Sequence, residues 1–187
     1  MFRVVLLTLA YLCVFCGATT VKECKNKPFP LSVAVQDCEE PPCVVYKGQF
    51  AIMDVQFLGD KNNIARITTK VTAKVFGMNL PYDLPEEVSN VCINLLYGAI
   101  CPIDKDEDVT YRFNFYVEPA FPEITADVTV TLNDANDNPI SCFVVTCKIR
   151  KGPSSRHEEL LLDSPEPNTI SKANVLNVAV PDTTLLD

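Results

Sequence analysis

The sequence predicts an all-β fold, a two-sheet antiparallel sandwich held by disulfides, and three observations carry that reading. Several segments alternate apolar and polar residues with a period of two, the mark of strands with one buried face. No stretch between residues 19 and 150 repeats apolar residues at a helical period. Cysteines recur through the same stretch behind a secretory leader, which places them in an oxidising compartment where they pair. Six or seven antiparallel strands in about 130 residues mean two sheets facing each other.

The leader comes first. Arg3 precedes the apolar run Val4 to Phe15, and the small residues Cys16-Gly17-Ala18 follow. That is the pattern of a signal peptide, with cleavage expected after Ala18, or alternatively after Thr20. A membrane span would need roughly 20 apolar residues, and no later stretch comes close. The expected organisation is therefore a leader over 1–18, a β-sandwich domain over 19–150 and a mostly disordered tail over 151–187.

Cys13 and Cys16 leave with the leader, and Cys24, Cys38, Cys43, Cys92, Cys101, Cys142 and Cys147 remain. Six cysteines alone allow 15 connectivities. Cys38–Cys43 and Cys92–Cys101 close short loops naturally, which leaves Cys24 to reach one of the two cysteines on the last strand. Such a bridge closes a loop of over 100 residues, worth roughly 4–5 kcal/mol in the chain-entropy account. One cysteine is left over.

The strands follow in order. Segments 31–37 and 48–57 read as the first two. In 65–75, Ala65, Ile67, Val71, Ala73 and Val75 share one face, while Arg66, Thr68, Lys70, Thr72 and Lys74 share the other. Pro81-Tyr82-Asp83-Leu84-Pro85 cannot lie in a central strand, because each proline removes a ladder donor, so a rigid loop along an edge or rim is expected. Tyr111, Phe113, Phe115 and Val117 alternate with Arg112, Asn114, Tyr116 and Glu118; Ile124, Ala126, Val128, Val130 and Leu132 alternate with Thr125, Asp127, Thr129 and Thr131. Segment 140–150 is the last strand. Beyond Lys151 the chain turns to Gly152-Pro153-Ser154-Ser155 and Ser164-Pro165-Glu166-Pro167, with apolar patches that do not alternate.

Catalytic chemistry finds no residues. The one histidine, His157, lies in the tail, so no Ser/His or Cys/His pair can form in the domain. The cysteines are better used in bridges than in a zinc site. Glu39-Glu40, Glu86-Glu87 and Asp106-Glu107-Asp108 sit in polar, turn-like segments rather than the separated environments that paired acids need. Asp134-Ala135-Asn136-Asp137-Asn138-Pro139 resembles a calcium linker of cadherins, but Asn, Asp and Pro are also what a hairpin turn favours, and the partner acidic motifs are absent. No cofactor, metal or enzymatic activity is expected. The net charge of −8 disfavours nucleic acid and standing attachment to anionic membranes.

Cys38-x4-Cys43, Lys47-Gly48-Gln49, Gly77-x3-Pro81 with Pro85, Cys92…Cys101-Pro102-Ile103, Tyr111, Phe121-Pro122, Leu132-x-Asp134 and Cys142-Phe143 together resemble the ML lipid-recognition domain. The branch is similar to the Niemann-Pick type C-2, or epididymal secretory, proteins of arthropods, and the resemblance covers roughly residues 21–150. It implies an immunoglobulin-like sandwich of seven strands whose sheets separate around an apolar cavity. It also implies the bridges Cys24–Cys142, Cys38–Cys43 and Cys92–Cys101. The family's mouth aromatics and valine fall on Tyr82, Val117 and Phe121, followed by Pro122. A pocket-wall tryptophan of some members is Val130 here, with an enlarged or reshaped cavity as the expectation. Cys147 stands where the family often has a pocket-lining valine. It shares a face with Phe143, Val145 and Ile149 while Cys142 points the other way, so it is expected to be a free, buried thiol.

Alternation alone predicts a buried interior equally well whether that interior is filled or hollow; the resemblance is what implies the hollow. Granting it, the walls are expected from Met53, Val55, Val71, Val75, Phe113, Phe115, Val117, Val128, Val130, Val145 and Cys147, with Tyr111 as the main hydroxyl. The expected ligand is a sterol or fatty-acid-like lipid, carried by a monomer that touches membranes or a sterol-accepting membrane protein transiently. A recognition protein of the same fold, binding microbial lipids or chemical signals, is the alternative function, and an adhesion sandwich with a filled core is the third. The domain lacks histidine, so any pH dependence of transfer is expected near carboxylate titration. It also lacks an Asn-x-Ser/Thr sequon, which favours extracellular fluid over the lysosomal lumen.

Overall fold

The computed structural model describes residues 17–152. Nearly all of the expected leader, together with Cys13 and Cys16, lies outside the described residues, as do the tail from Pro153 onward and His157. Among the described residues no helix is long and apolar enough to cross a membrane.

The described residues form nine strands: β1 (Lys22–Glu23), β2 (Ser32–Val35), β3 (Cys43–Tyr46), β4 (Phe50–Leu58), β5 (Ile67–Val75), β6 (Met78–Tyr82), β7 (Asp108–Tyr116), β8 (Thr125–Asp134) and β9 (Pro139–Arg150). A single helical turn, α1 (Glu86–Ser89), and a 3-10 turn over Val91–Ile93 lie between β6 and β7. One sheet of six strands runs β1-β9-β8-β5-β6, with β3 also paired to β9; the other runs β2-β4-β7. Pairing is antiparallel except for β3 on β9, which is parallel. The long alternating segments are thus the strands expected. The additional ones, β1, β3 and β6, are two to five residues long and carry no readable alternation.

The Pro81 segment is half corrected. Pro81 and Tyr82 belong to β6, and Pro81 faces Thr72 across the ladder. Because β6 is an edge strand bonded only to β5, the missing N–H costs no interior hydrogen bond. A two-residue turn, Phe76-Gly77, joins β5 to β6 with φ of 48° and 82°, matching the right-handed twist of the hairpin it closes.

The three bridges are Cys24–Cys142, Cys38–Cys43 and Cys92–Cys101. They are the pairs implied by the resemblance, and Cys147 is left as a buried free thiol. Asp134 closes the β8–β9 turn by accepting the backbone N–H of Asn136 at 2.9 Å and of Asn138 at 2.8 Å. It also accepts from the Asn138 amide at 3.1 Å and pairs with Lys61. Lys61 first, and then these turn donors, hold the Asp134 carboxyl well below the usual carboxylate range. The carboxylate thus ties the β8–β9 turn to the segment carrying Lys61.

Candidate functional site: a cavity between the sheets

Every long strand crosses from a packed end of the inter-sheet space to an open one. At the packed end Phe57, Ile67, Val109, Tyr111, Val130, Leu132, Phe143 and Val145 are all but inaccessible to solvent. The opposite end holds a cavity of about 360 Å³. Met53 and Ala51 from β4, Val71, Ala73 and Val75 from β5, and Phe113 and Phe115 from β7 form much of its wall. Ala126 and Val128 from β8 and Cys147 and Ile149 from β9 complete the sides, with Val45 contributed by β3. None of the lining residues is charged.

The mouth is built by two segments that are neither central strands nor tight turns. Edge strand β6 brings Leu80, Pro81 and Tyr82, and the β7–β8 connection brings Val117, Phe121, Pro122 and Ile124. Tyr82 meets Phe115 edge-on at 5.1 Å and Phe121 edge-on at 5.8 Å, while Phe115 and Phe121 stack at 6.4 Å. These are favourable aromatic geometries, so the three rings form one cluster across the opening. Beside it Phe76, at the hairpin tip, is 88% exposed, and Met78 and Leu80 are exposed with it. An exposed phenylalanine in left-handed backbone is an expensive placement for a bulky residue.

Of the wall and mouth residues expected from the sequence, Met53, Val71, Val75, Tyr82, Phe113, Phe115, Val117, Phe121, Pro122, Val128 and Cys147 line the cavity. Val55, Tyr111, Val130 and Val145 do not, and this is a correction. They face inward on the same strands, but one level deeper, fully buried in the core and off the cavity wall. Tyr111 cannot serve as the cavity hydroxyl. Its O–H donates to the Val88 carbonyl at 3.0 Å and accepts from Thr69 at 2.9 Å. Burial pushes that phenol up to about 12. Tyr82 at the mouth is the phenol that borders the cavity instead.

The sequence reading missed Ala51, Ala73, Ala126, Val45, Phe76, Leu80, Pro81, Ile124 and Ile149 as lining residues. A signal for five of them is present in the sequence: Ala73, Ala126, Ile124 and Ile149 fall on inward faces, and Ala51 lies in an expected strand. An inward alanine among larger neighbours leaves volume unfilled. Cys147 adds a small apolar surface to the wall, and burial, with a lesser contribution from the charge of Asp127, pushes its thiol up to about 12. It is therefore a packing group rather than a nucleophile.

Fold and cavity define a class: a disulfide-bonded β-sandwich that holds an apolar space between its sheets, open at one end. The ML domain family matches residues 18–149, and the chain belongs to that family. It is 26% identical over 153 residues to the NPC intracellular cholesterol transporter 2 homolog a of Drosophila melanogaster, covering 80% of this chain and 100% of that protein. It is 27% identical over 129 residues to the mouse NPC intracellular cholesterol transporter 2, covering 68% and 83%. A crystal structure of a Niemann-Pick type C2 protein from the Japanese carpenter ant superposes with a TM-score of 0.56 at 20% identity, covering 72% of this chain and 96% of that one. The last likeness concerns the fold.

Proposed function

We propose that the protein is a secreted, non-enzymatic carrier that encloses one sterol or fatty-acid-like lipid between its sheets and passes it on at membranes. The observation that carries this reading is the uncharged cavity of about 360 Å³, which lies within the roughly 300–1,000 Å³ of small-molecule sites. A charged or strongly polar ligand would forfeit its hydration there without a partner. An apolar body gains about 25 cal/mol per Å² removed from water, so burying about 400 Å² is worth about 10 kcal/mol gross. The loss of translational and rotational freedom offsets much of that, which leaves submicromolar affinity within reach. A polar head would rest at the mouth, near Tyr82 and water.

The relatives named as cholesterol transporters support the choice of lipid. Three disulfides suit an extracellular or lumenal space, as does the leader pattern. Exposed Phe76, Met78 and Leu80 beside the mouth suit brief contact with a bilayer interface during transfer.

Titrating a fluorescent sterol and a fluorescent fatty acid into wild type, Phe121→Ala and Val117→Trp tests the reading. Both variants are expected to bind about tenfold or more weakly while retaining the wild-type far-UV spectrum. Wild-type affinity in both variants would show that ligand does not enter past these residues, and absence of binding to wild type would refute the carrier.

A further inference from the structure

On the outer face of the six-stranded sheet lies a second concavity, back to back with the lipid cavity: Val71 and Ala73 of β5 face the cavity, whereas Lys70 and Thr72 face outward. From the register of β5, β8 and β9 together with the flanking loops, we propose that this groove binds a small oxyanion of the phosphate or sulfate type.

The groove is built, not merely left open. Its floor is Lys70 and Thr72 from β5 with Thr131 and Asn133 from β8. One wall is the segment carrying Lys27, which is pinned by the Cys24–Cys142 bridge and by the Cys142 N–H donating to the Pro28 carbonyl at 2.8 Å. The other wall is the β8–β9 turn, contributing Asp137 and Pro139 and rigidified by the Asp134 network. Asn133 is 6% exposed and lines the groove, and its amide makes no side-chain hydrogen bond among the described residues. That amide is therefore free to donate to an acceptor lodged in the groove.

The charges set the sign of the ligand. Lys70 pairs with Asp137 at 2.6 Å, whereas Lys27 has no carboxylate partner among the described residues. One unpaired ammonium, the hydroxyl of Thr72 and the amide N–H of Asn133 are left as donors for a compact anion, since the Thr131 hydroxyl donates to the bridged Cys142 Sγ at 3.2 Å and the Asp137 carboxylate is held by Lys70. The net charge of −8 opposes an extended anionic surface, because repulsion sums over the whole protein. A single ion a few ångströms from Lys27 and Lys70 lies well inside the screening length of about 8 Å at physiological salt. The favoured ligand is therefore a free ion rather than a membrane.

The test is a titration of the mature protein with inorganic phosphate at constant ionic strength, read by amide NMR. Saturable, millimolar shifts at Lys70, Thr131 and the Asn133 side chain are expected, weakened about tenfold in each of Lys27→Ala and Lys70→Ala. Sterol binding by the two variants should be unchanged, which certifies their fold, since neither side chain touches the cavity. Shifts that never saturate, that chloride reproduces, or that survive both substitutions would overturn the site. Flotation with phosphatidylglycerol vesicles separates the sources: a free-ion site predicts no retention, and retention lost in Lys27→Ala and Lys70→Ala would assign the phosphate to a lipid headgroup.

Discussion

The two ends of the inter-sheet space are made by the same strands with the same alternation, yet one is packed and the other hollow. At the packed end Val55 and Phe57, Ile67, Tyr111, Val130 and Leu132, and Phe143 and Val145 interlock across the gap. A few residues along the same strands, the inward positions include Ala51, Ala73, Ala126 and Cys147, set among valines, Met53, Phe113 and Phe115. Both ends are apolar, so polarity does not distinguish them; side-chain volume does. The packed end is also closed from outside by Val88 and Val91, and the Cys92–Cys101 loop runs along β7 through a Leu95–Tyr111 bridge. The hollow end has only β6 and the 117–124 connection across it, which is why it opens there.

The largest expected effect breaks the packed end. Tyr111→Ala removes a ring that fills the interior and orphans Thr69 and the Val88 carbonyl, and should cost about 3–5 kcal/mol in a urea unfolding series. Phe115→Ala, whose ring already borders empty space, should cost markedly less stability and more lipid affinity. Equal losses of stability would erase the distinction between the two ends.

Adding volume should reverse the asymmetry. Val130→Phe overpacks a site with no room and should cost about 1–3 kcal/mol. Ala73→Leu or Ala126→Leu fills existing space, so stability should change by less than about 1 kcal/mol while lipid affinity falls about tenfold or more. If the alanine variants are as destabilised as Val130→Phe, the cavity closes in solution.

Two smaller effects follow from titration. Asp134 has a folded-state pKa below its unfolded value, so its contribution is present above about pH 4 and fades as pH falls through the lower folded value. Asp134→Asn should remove that part of the acid sensitivity seen in wild-type unfolding curves below about pH 4. Cys147 behaves oppositely: its folded pKa of about 12 exceeds the unfolded value of roughly 8.5, so its contribution holds below that value and fades as pH rises towards 12. Native protein at pH 8 should resist iodoacetamide at Cys147, and urea should unmask one reactive thiol.

Most of the sandwich was legible because Ile67–Val75, Asp108–Tyr116 and Thr125–Asp134 each bury one face over nine or ten residues, and that periodicity survives in sequence. Lys22–Glu23, Cys43–Tyr46 and Met78–Tyr82 are edge additions whose pairing is set by tertiary contact, and Pro81 even argues against its own strand. Cavity residues were legible by face but not by depth. Tyr111 and Phe113 are two residues apart on one face and one strand, yet Tyr111 ends in a hydrogen-bonded core and Phe113 on a cavity wall. Depth depends on which residues oppose each other across two sheets, which no single strand encodes. The alanines came closest to revealing it.

Native mass spectrometry of the protein purified from a secreting host, before and after incubation with sterol, addresses the hollow most directly. The account predicts one lipid-sized mass per chain, retained by wild type and lost in Ala73→Leu. Protein that carries no adduct and takes up none on incubation would contradict it.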